Sequence, residues 1–181
     1  MDGRNWPQGI RERIVGPLLP SAVLIPIIER KEGLTVLLTV RAAHLKHHPG
    51  QISFPGGRME RTDRDLAETA LRETHEEVGV APGQVAVAGY LAPLPTVTGY
   101  VVTPIVGLLD PDAKLSLDHR EVSAAFEVPL EFLLDQRNQE HSLRQYLGIR
   151  IPVIAYRFET RHIWGATAAM IDSLQKQLLI K

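Results

Sequence analysis

The stretch ALRETHEEVGV, from Ala70 to Val80, places three glutamates in the last turns of a segment whose pattern predicts a helix. Glu73, Glu76 and Glu77 are spaced i, i+3 and i+4, so their Cβ atoms lie on one face, about 5–6 Å apart. Like charges at this spacing repel, and the C-terminal end of a helix already carries a partial negative charge. Because local energetics oppose this placement, the pattern indicates a functional site.

The residues around these glutamates have the periodicity of one helix. Apolar and small side chains form a continuous stripe made of Leu66, Ala67, Ala70, Leu71, Thr74 and Val78. Asp63 is predicted to cap the start of this helix, and Gly79 is predicted to end it. Glu77 borders the apolar stripe, so we expect its carboxylate to point partly inward.

The length and composition indicate one ordinary globular domain spanning residues 1–181, with a loose N-terminal segment over residues 1–20. The chain has 44% hydrophobic and 23% charged residues, which is typical of such a domain. The net charge of −1 offers no general attraction to nucleic acid or to an anionic membrane. The absence of cysteine excludes disulfides, thiolate metal sites and cysteine nucleophiles. The oligomeric state, including a homodimer, stays open.

The N-terminal residues superficially resemble a secretory signal, because arginines precede the apolar run IVGPLLPSAVLIPII at residues 14–28. However, Pro17, Pro20 and Pro26 would interrupt a helix there, and no cleavage site of the usual small-residue kind follows. No run approaches the 18 or so apolar residues of a membrane span. We therefore expect a cytoplasmic protein.

The remaining pattern predicts an α/β fold with a mixed sheet between helices. The first two predicted strands are AVLIPIIER and LTVLLTVRA, which form a hairpin across KEG. Two further strands are predicted at QVAVAGYLA and YVVTPIVGLL. The last two, HSLRQYLGI and IPVIAYRFE, are predicted to form a pair. Predicted helices besides the acidic one are VPLEFLLDQ and a closing helix over IWGATAAMIDSLQKQLLI. Residues 43–63, rich in Gly, Pro and His, are predicted to form a long loop, and loops of that length are usually functional.

The three clustered carboxylates have two explanations from the residues alone. A solvated face is the ordinary one, with Arg72 pairing with both Glu76 and Glu68 for about 0.2–0.5 kcal/mol each. A metal site is the other, because Mg²⁺ prefers oxygen ligands and substrate phosphates. The preceding FPGGR favours the metal site, since glycines let the backbone approach a ligand closely.

The segment GGRMERTDRDLAETALRETHEEVGV resembles the Nudix box, whose usual form is G-x5-E-x7-R-E-U-x-E-E-x-G-U. The matching residues are Gly57, Arg72, Glu73, Thr74, Glu76, Glu77, Gly79 and Val80. Asp63 stands where the box has Glu, and one extra residue separates it from Arg72. The core of the box is intact.

The resemblance continues upstream. LLTVRAAHLKHHPGQISFPGG is similar to the signature of coenzyme A pyrophosphatases, LLTxR[SA]x3Rx3Gx3FPGG. The residues that match in register are Leu37, Leu38, Thr39, Arg41, Ala42, Gly50, Phe54, Pro55, Gly56 and Gly57. Lys46 replaces the expected Arg, which keeps the charge but loses bidentate phosphate geometry. TGYVVTPIVG and IWGATA are also similar to segments of that subfamily.

The resemblance implies a Nudix fold, an α/β/α sandwich with a mixed β-sheet, and hydrolysis of coenzyme A to 3′,5′-ADP and 4′-phosphopantetheine with Mg²⁺ or Mn²⁺. It implies the following catalytic residues: Arg72, Glu73, Glu76 and Glu77. The implied metal ligands are Glu73, Glu76, Glu77 and Gly56. The implied substrate-binding residues are Arg41, Lys46, Gly56, Gly57 and Arg58.

Other residues near these motifs allow more than one role. Of the cations around the glycine-rich loop, Arg41 and Lys46 are the better candidates for phosphate contacts. His44, His47 and His48 are better explained as parts of a solvated loop, and a metal site made of them is the weaker alternative, because a hydrolytic Mg²⁺ site prefers oxygen. Phe54 is expected to anchor the loop in the core, and Trp164 to lie in the core on the closing helix. Tyr100 could line the pocket or pack in the sheet. Glu121 could act as a base or begin a helix.

Three functions compete. The first is a metal-dependent coenzyme A diphosphatase, and the second is a Nudix hydrolase of another nucleoside diphosphate derivative, such as ADP-ribose or a dinucleotide. The loop signature favours the first. The third is a Nudix-like module that binds a nucleotide without cleaving it, which the intact set of Arg72, Glu73, Glu76 and Glu77 disfavours.

Overall fold

The computed structural model describes residues 18–96, 98–146 and 149–179, and the structural statements below concern these residues. The loose segment predicted for residues 1–20 falls mostly outside them. Leu19 and Pro20 already belong to the first strand.

The described residues contain eleven strands and three helices. The strands are β1 (Leu19–Arg30), β2 (Gly33–Arg41), β3 (Ile52–Ser53), β4 (Gly56–Arg58), β5 (Val85–Tyr90), β6 (Leu94–Pro95), β7 (Tyr100–Leu109), β8 (Val122–Pro129), β9 (Gln139–Tyr146), β10 (Ile149–Phe158) and β11 (Arg161–Trp164). The helices are α1 (Leu66–Val78), α2 (Leu130–Leu134) and α3 (Gly165–Leu179). None of these helices is long and apolar enough to cross a membrane.

The strands form one large mixed sheet and one small antiparallel sheet. The main path of the large sheet is β3-β2-β1-β7-β5, with β4 on β1, β6 on β7 and β8 on β2. Its β1–β2 pair is antiparallel and its β1–β7 pair is parallel. The small sheet has the order β11-β10-β9.

Helices cover both faces of the large sheet. Successive residues of a strand point to opposite faces, so the neighbours of two adjacent residues of β1 identify what packs on each face. Leu24 of β1 packs with Ala67 and Ala70 of α1 on one face. The next residue, Ile25, belongs to the larger core on the other face, which contains Ile171 of α3. This arrangement confirms the prediction of an α/β/α sandwich with a mixed sheet.

The large sheet divides at one end. Strand β1 pairs with β2 over Ile27–Arg30, but its earlier residues Ser21–Val23 pair with β4 instead. Strands β1 and β2 therefore diverge, and β4 carries the two glycines of the FPGG motif into the gap. This places the glycine-rich segment beside α1.

Most predicted elements are confirmed, and the differences lie in short or weakly apolar segments. The hairpin of β1 and β2, the strands β5 and β7, and the pairing of β9 with β10 agree with the sequence. Strand β8 was not predicted, and residues 43–63 contain β3 and β4 rather than loop alone. Trp164 was predicted on the closing helix, but it ends β11, where its half-buried ring lies under the guanidinium of Arg144.

Candidate active site

The two ends of α1 fix the position of its last turns. Asp65, rather than the predicted Asp63, caps the helix, and its carboxylate accepts a hydrogen bond from the Glu68 N–H at 2.8 Å. Gly79 ends the helix as predicted, with φ of 77°, and its N–H donates to the carbonyl of His75. A side chain at Gly79 would be strained in this conformation and would also collide with Ser116.

Asp63 is buried and forms an ion pair with the half-buried Arg72. The Arg72 guanidinium donates from Nε to Asp63 Oδ1 at 2.9 Å and from Nη2 to Oδ2 at 3.0 Å. The hydroxyl of Thr69 and the backbone N–H of Glu60 also donate to Asp63 Oδ2. This bonding, led by Arg72, lowers the pKa of Asp63 to about 2. Asp63 was predicted as the helix cap because its partner, nine residues away, is visible only in the fold.

Arg72 also connects the glutamates of the acidic face. Its Nη1 donates to Glu73 Oε1 and to Glu76 Oε2, each at 3.0 Å, and its Nη2 donates to the Arg58 carbonyl at 3.1 Å. The predicted pair of Arg72 with Glu76 is confirmed. The predicted pair with Glu68 is wrong, because Glu68 bonds to Arg64 instead. Arg72 therefore joins the helix to the loop after β4.

We expect Asp63→Asn to lower the free energy of unfolding by about 1.5–3 kcal/mol, because it weakens charge-assisted bonds that are shielded from water. For a domain of this size, each kcal/mol corresponds to about 2–4 °C in Tm. The folded pKa of Asp63 is about 2 against an ordinary 3.8. Its stabilisation is therefore complete above about pH 4 and is lost as the pH falls through about 2.

Thermal melts of Asp63→Asn and Asp65→Asn at pH 7 test this prediction. Asp65→Asn is the matched control, because Asn caps a helix as well as Asp does. Equal melting temperatures for the two variants would contradict the assigned role of Asp63.

Glu77 is the buried member of the acidic face. It is only 3% exposed, which confirms the predicted inward orientation, and its Oε2 has no hydrogen-bond partner. Burial, reinforced by the negative charges of Glu73 and Glu121, raises the pKa of Glu77 to about 8, although the positive charge of Arg41 opposes the rise. A buried carboxylate oxygen without a protein partner is chemically suited to bind a hard cation.

Glu73 is held against the second glycine of the FPGG motif. A Cβ added at Gly57 would lie 2.5 Å from Glu73 Cδ and Oε1 and 2.6 Å from Oε2, so a side chain there would displace the Glu73 carboxylate. Burial raises the pKa of Glu73, and its bond to Arg72 opposes that rise. Gly57 thus brings the backbone of β4 directly onto a carboxylate of α1.

Gly56 is required for the packing of β4 on β1. Its φ is 154°, and a side chain there would overlap the Ala22 carbonyl oxygen and the Cα of Val23. The Gly56 backbone also bonds to the Glu77 carboxylate, which partly offsets the raised pKa of Glu77. The two glycines therefore lie next to the two least exposed glutamates of the site.

Arg41 and Glu121 approach the same glutamates from β2 and from the turn before β8. The Nε of Arg41 is buried without a hydrogen-bond partner, and its charge acts on Glu77. The carbonyl of Glu121 accepts a hydrogen bond from the Ala42 N–H at 2.8 Å. Glu121 precedes a strand, so the alternative that it begins a helix is wrong. Its charge raises the pKa values of both Glu73 and Glu77.

The remaining candidates fall into an exposed group and a packed group. The exposed side chains are Lys46, Arg58, Glu76, His44, His47 and His48. Phe54 is 2% exposed and belongs to the main core, which confirms its role as an anchor. Tyr100 begins β7 and is half-buried.

The site suits a hard divalent cation, although its ligands are not gathered around one point. In the described part of the chain, no three carboxylate or imidazole side chains converge as a preformed cage. Arg72 explains this, because it draws the carboxylates of Glu73 and Glu76 toward itself. The oxygen donors, and above all the unpartnered oxygen of Glu77, nevertheless fit Mg²⁺ or Mn²⁺.

This combination of a helix-borne acidic face, a glycine-rich strand and an α/β/α sandwich defines a Nudix domain. The sequence model of the NUDIX domain family matches residues 18–147 of this protein, which is most of the chain. The chain therefore belongs to the NUDIX family.

Relatives from bacteria share this assignment. The chain is 42% identical over 173 residues to "Uncharacterized Nudix hydrolase NudL" of Escherichia coli O7:K1 (strain IAI39 / ExPEC), covering 89% of this chain and 83% of the relative. It is 40% identical over 169 residues to the protein of the same name from Enterobacter sp. (strain 638), with the same coverage.

Solved structures show the same fold at lower identity. A Caenorhabditis elegans Ap4A hydrolase in a binary complex matches with a TM-score of 0.53 and 21% identity, covering 61% of this chain and 80% of that one. The NUDIX domain of Shewanella oneidensis NrtR, complexed with ADP ribose, matches with a TM-score of 0.51 and 20% identity, covering 72% and 82%. These likenesses support the fold alone.

Two residues that shape the site were missed from the sequence. Asp65 could have been found, because Asp65 and Glu68 have the spacing of a capping motif at a helix start. Thr69 carries no local signal in the sequence. Its hydroxyl donates to Asp63, and this contact depends on how the loop between β4 and α1 folds back onto the helix. Asp65 fixes the start of α1, whereas Thr69 holds Asp63, the partner of Arg72.

Proposed function

We propose that the protein is a metal-dependent Nudix hydrolase that cleaves the diphosphate of coenzyme A to give 3′,5′-ADP and 4′-phosphopantetheine. One observation carries the proposal. The glycine pair that ends the coenzyme A signature lies directly against Glu73 and Glu77 of the acidic face. The signature loop and the carboxylates therefore belong to one site.

The contacts of the side chains support the roles that we propose for them. Glu73, Glu76 and Glu77, with the backbone of Gly56, would hold the cation. A bound Mg²⁺ or Mn²⁺ neutralises a diphosphate and lowers the pKa of an attacking water. Arg72 orients Glu73 and Glu76 through its shared Nη1. Glu121 is the candidate base, because its charge reaches both Glu73 and Glu77 from a separate element.

Cationic side chains are proposed to bind the phosphates. Coenzyme A carries a 3′-phosphate on its ribose in addition to the diphosphate, so it needs positive charge beyond the metal. Arg41 has a buried Nε without a partner. Lys46 and Arg58 are exposed on either side of the glycine-rich segment. Arg41 is the strongest candidate of the three, because its unpartnered donor is shielded from water.

We expect Arg41→Ala to reduce kcat/KM for coenzyme A at least about tenfold more than for dephospho-coenzyme A, a difference of about 1.4 kcal/mol. The reason is the loss of a charge-assisted contact to the 3′-phosphate, which dephospho-coenzyme A lacks. Kinetics on both substrates measure the effect, with exposed Lys114→Ala as the control. Equal losses on the two substrates would show that Arg41 does not read the 3′-phosphate.

A Nudix hydrolase acting on another nucleoside diphosphate derivative is the second candidate. The C. elegans Ap4A hydrolase and the ADP-ribose complex of NrtR share the fold of this chain, and their ligands supply the alternative substrates to compare. A module that binds a nucleotide without cleavage is disfavoured, because Arg72 and the three glutamates of the Nudix box are present together.

A substrate panel separates these candidates. Purified protein is incubated with coenzyme A, ADP-ribose or Ap4A, in Mg²⁺, Mn²⁺ or chelator, and the products are identified by mass. We expect metal-dependent release of 3′,5′-ADP from coenzyme A. Far more efficient turnover of ADP-ribose or Ap4A would overturn the coenzyme A assignment, and no turnover of any substrate would favour the binding module.

A further inference from the structure

Arg72 supplies positive charge to two of the three glutamates of the acidic face. Its Nη1 donates a hydrogen bond to Glu73 Oε1 and another to Glu76 Oε2, each at 3.0 Å. A hard divalent cation held by the acidic face needs oxygens of the same two carboxylates. A guanidinium and a metal cation repel each other at close range, so they compete for these carboxylates.

The other bonds of Arg72 point away from the glutamates. Its Nε and Nη2 donate to the two carboxylate oxygens of Asp63 at 2.9 and 3.0 Å. Nη2 also donates to the Arg58 carbonyl at 3.1 Å. Within the described part of the chain, the bonds from Arg72 to Glu73 and Glu76 come from Nη1 alone. The guanidinium can therefore lose both glutamate bonds and keep three others.

Asp63 is itself fixed, so it restrains Arg72. Its side chain is buried, and its Oδ2 accepts hydrogen bonds from the Thr69 hydroxyl and from the Glu60 N–H, each at 2.9 Å. Charge-assisted bonds that are shielded from water are stronger than bonds between neutral groups. Asp63 therefore keeps the guanidinium in place when the glutamates separate from it.

Glu77 is the glutamate that is not bound to Arg72. Its Oε2 is buried without a hydrogen-bond partner, and its carboxylate also bonds to the backbone of Gly56. A cation can therefore contact Glu77 without displacing a protein donor from this oxygen. Glu73 and Glu76, in contrast, first have to separate from Nη1.

We propose that Arg72 is the internal counter-ion of the acidic face and lowers its affinity for a divalent cation, an inference that rests on the metal site of the proposed function. In the metal-free protein, Nη1 offsets the repulsion between Glu73 and Glu76 at the end of the helix. On metal binding, the two carboxylates exchange Nη1 for the cation, and Asp63 retains Arg72. Asp63 is a positioning residue, because it acts on the metal ligands only through Arg72.

Titration calorimetry with Mn²⁺, on the whole chain without nucleotide, tests the proposal. The double variant Asp63→Asn/Arg72→Gln removes the competing cation without changing the net charge or leaving Asp63 as an unpaired buried charge. We expect its Kd for Mn²⁺ to fall at least about tenfold below that of the wild type. Asp63→Asn alone keeps Arg72 but weakens its restraint, so we expect Kd to rise at least about tenfold.

The double variant Arg64→Gln/Glu68→Gln is the matched control. It removes an ion pair at spacing i,i+4 from the start of the same helix, also without changing the net charge. Because this pair makes no bond to the three glutamates, we expect the wild-type Kd. Thermal melts in chelator verify that all variants fold.

The direction of the change in Kd decides the role of Arg72. Tighter Mn²⁺ binding by Asp63→Asn/Arg72→Gln, with weaker binding by Asp63→Asn, would support the proposal. If Arg72 instead assembles Glu73 and Glu76 as ligands, the Asp63→Asn/Arg72→Gln protein would bind Mn²⁺ more weakly than the wild type or equally well, and the proposal would be wrong. Absence of Mn²⁺ binding by both proteins would also overturn it.

Turnover of coenzyme A by the wild type separates this inference from the proposed function. If coenzyme A is not hydrolysed but the Mn²⁺ affinities follow the expected order, the substrate assignment fails and the role of Arg72 stands. If coenzyme A is hydrolysed but the Asp63→Asn/Arg72→Gln protein binds Mn²⁺ no more tightly, the function stands and the role of Arg72 is wrong.

Discussion

Glu77→Gln is expected to lower kcat by about 10²–10³ while leaving the metal-free protein more stable. The change keeps the size of a buried side chain but removes the charge of an oxygen that has no protein partner. Preorganised electrostatic contacts of this kind contribute about 2.7–4 kcal/mol to catalysis when one is removed. Glu73→Gln is expected to behave similarly, as is Glu76→Gln if the exposed Glu76 also contacts the cation.

The gain in metal-free stability depends on pH, and the raised pKa of Glu77 sets its sign. The ordinary pKa of 4.5 applies in the unfolded chain, against about 8 in the fold. Between these values the unfolded state loses a proton that the folded state keeps, so stability falls as the pH rises, by up to about 1.4 kcal/mol per pH unit. Glu77→Gln removes this dependence. We expect the variant to be more stable than the wild type by about 1 kcal/mol or more at pH 8 in chelator.

Two measurements test both parts of this prediction. Chelator melts from pH 5 to pH 8 report the stability, and metal-dependent rates on coenzyme A report the catalysis. Glu68→Gln is the control, because Glu68 lies on the same helix but bonds to Arg64 away from the site. Near-normal turnover together with a destabilised metal-free protein would restore the interpretation of α1 as a solvated, structural face.

The sequence predicted the parts of the fold that depend on local pattern. The apolar runs of β1, β2 and β7, and the stripe of α1, each bury a regular face, so their periodicity is visible without the partner. Strand β8 was missed, because its half-buried residues Ala124 and Ala125 add little apolar contrast. The strand is fixed by its pairing with β2.

The residues of the candidate site were likewise predictable only where their signal is local in the sequence. The acidic face was found because its charges oppose helix energetics, which is a local signal. The ion pair of Asp63 with Arg72 and the approach of Arg41 to Glu77 were not found, since both join elements whose closeness is set by the sheet.

Gly57→Ala is expected to lower kcat by about 10² while changing stability much less than a comparable change at Gly56. The backbone at Gly57 does not need a positive φ, so alanine is acceptable to the chain itself. The added carbon would instead lie 2.5 Å from the Glu73 carboxylate and push it away by about 1 Å, a displacement that costs about 10²-fold when it affects catalytic geometry. At Gly56 the same carbon would meet the backbone of β1, so Gly56→Ala is expected to destabilise the fold.

Rates and melts of three alanine variants test this expectation. Gly83→Ala is the control, because no atom lies within 4 Å of the added carbon and we expect neither activity nor stability to fall. A Gly57→Ala protein that melts near the wild type but turns over slowly would show that the glycine is needed to let β4 approach Glu73. Wild-type turnover would mean that the carboxylate can move without loss, and that the contact between Gly57 and Glu73 is packing rather than part of the catalytic geometry.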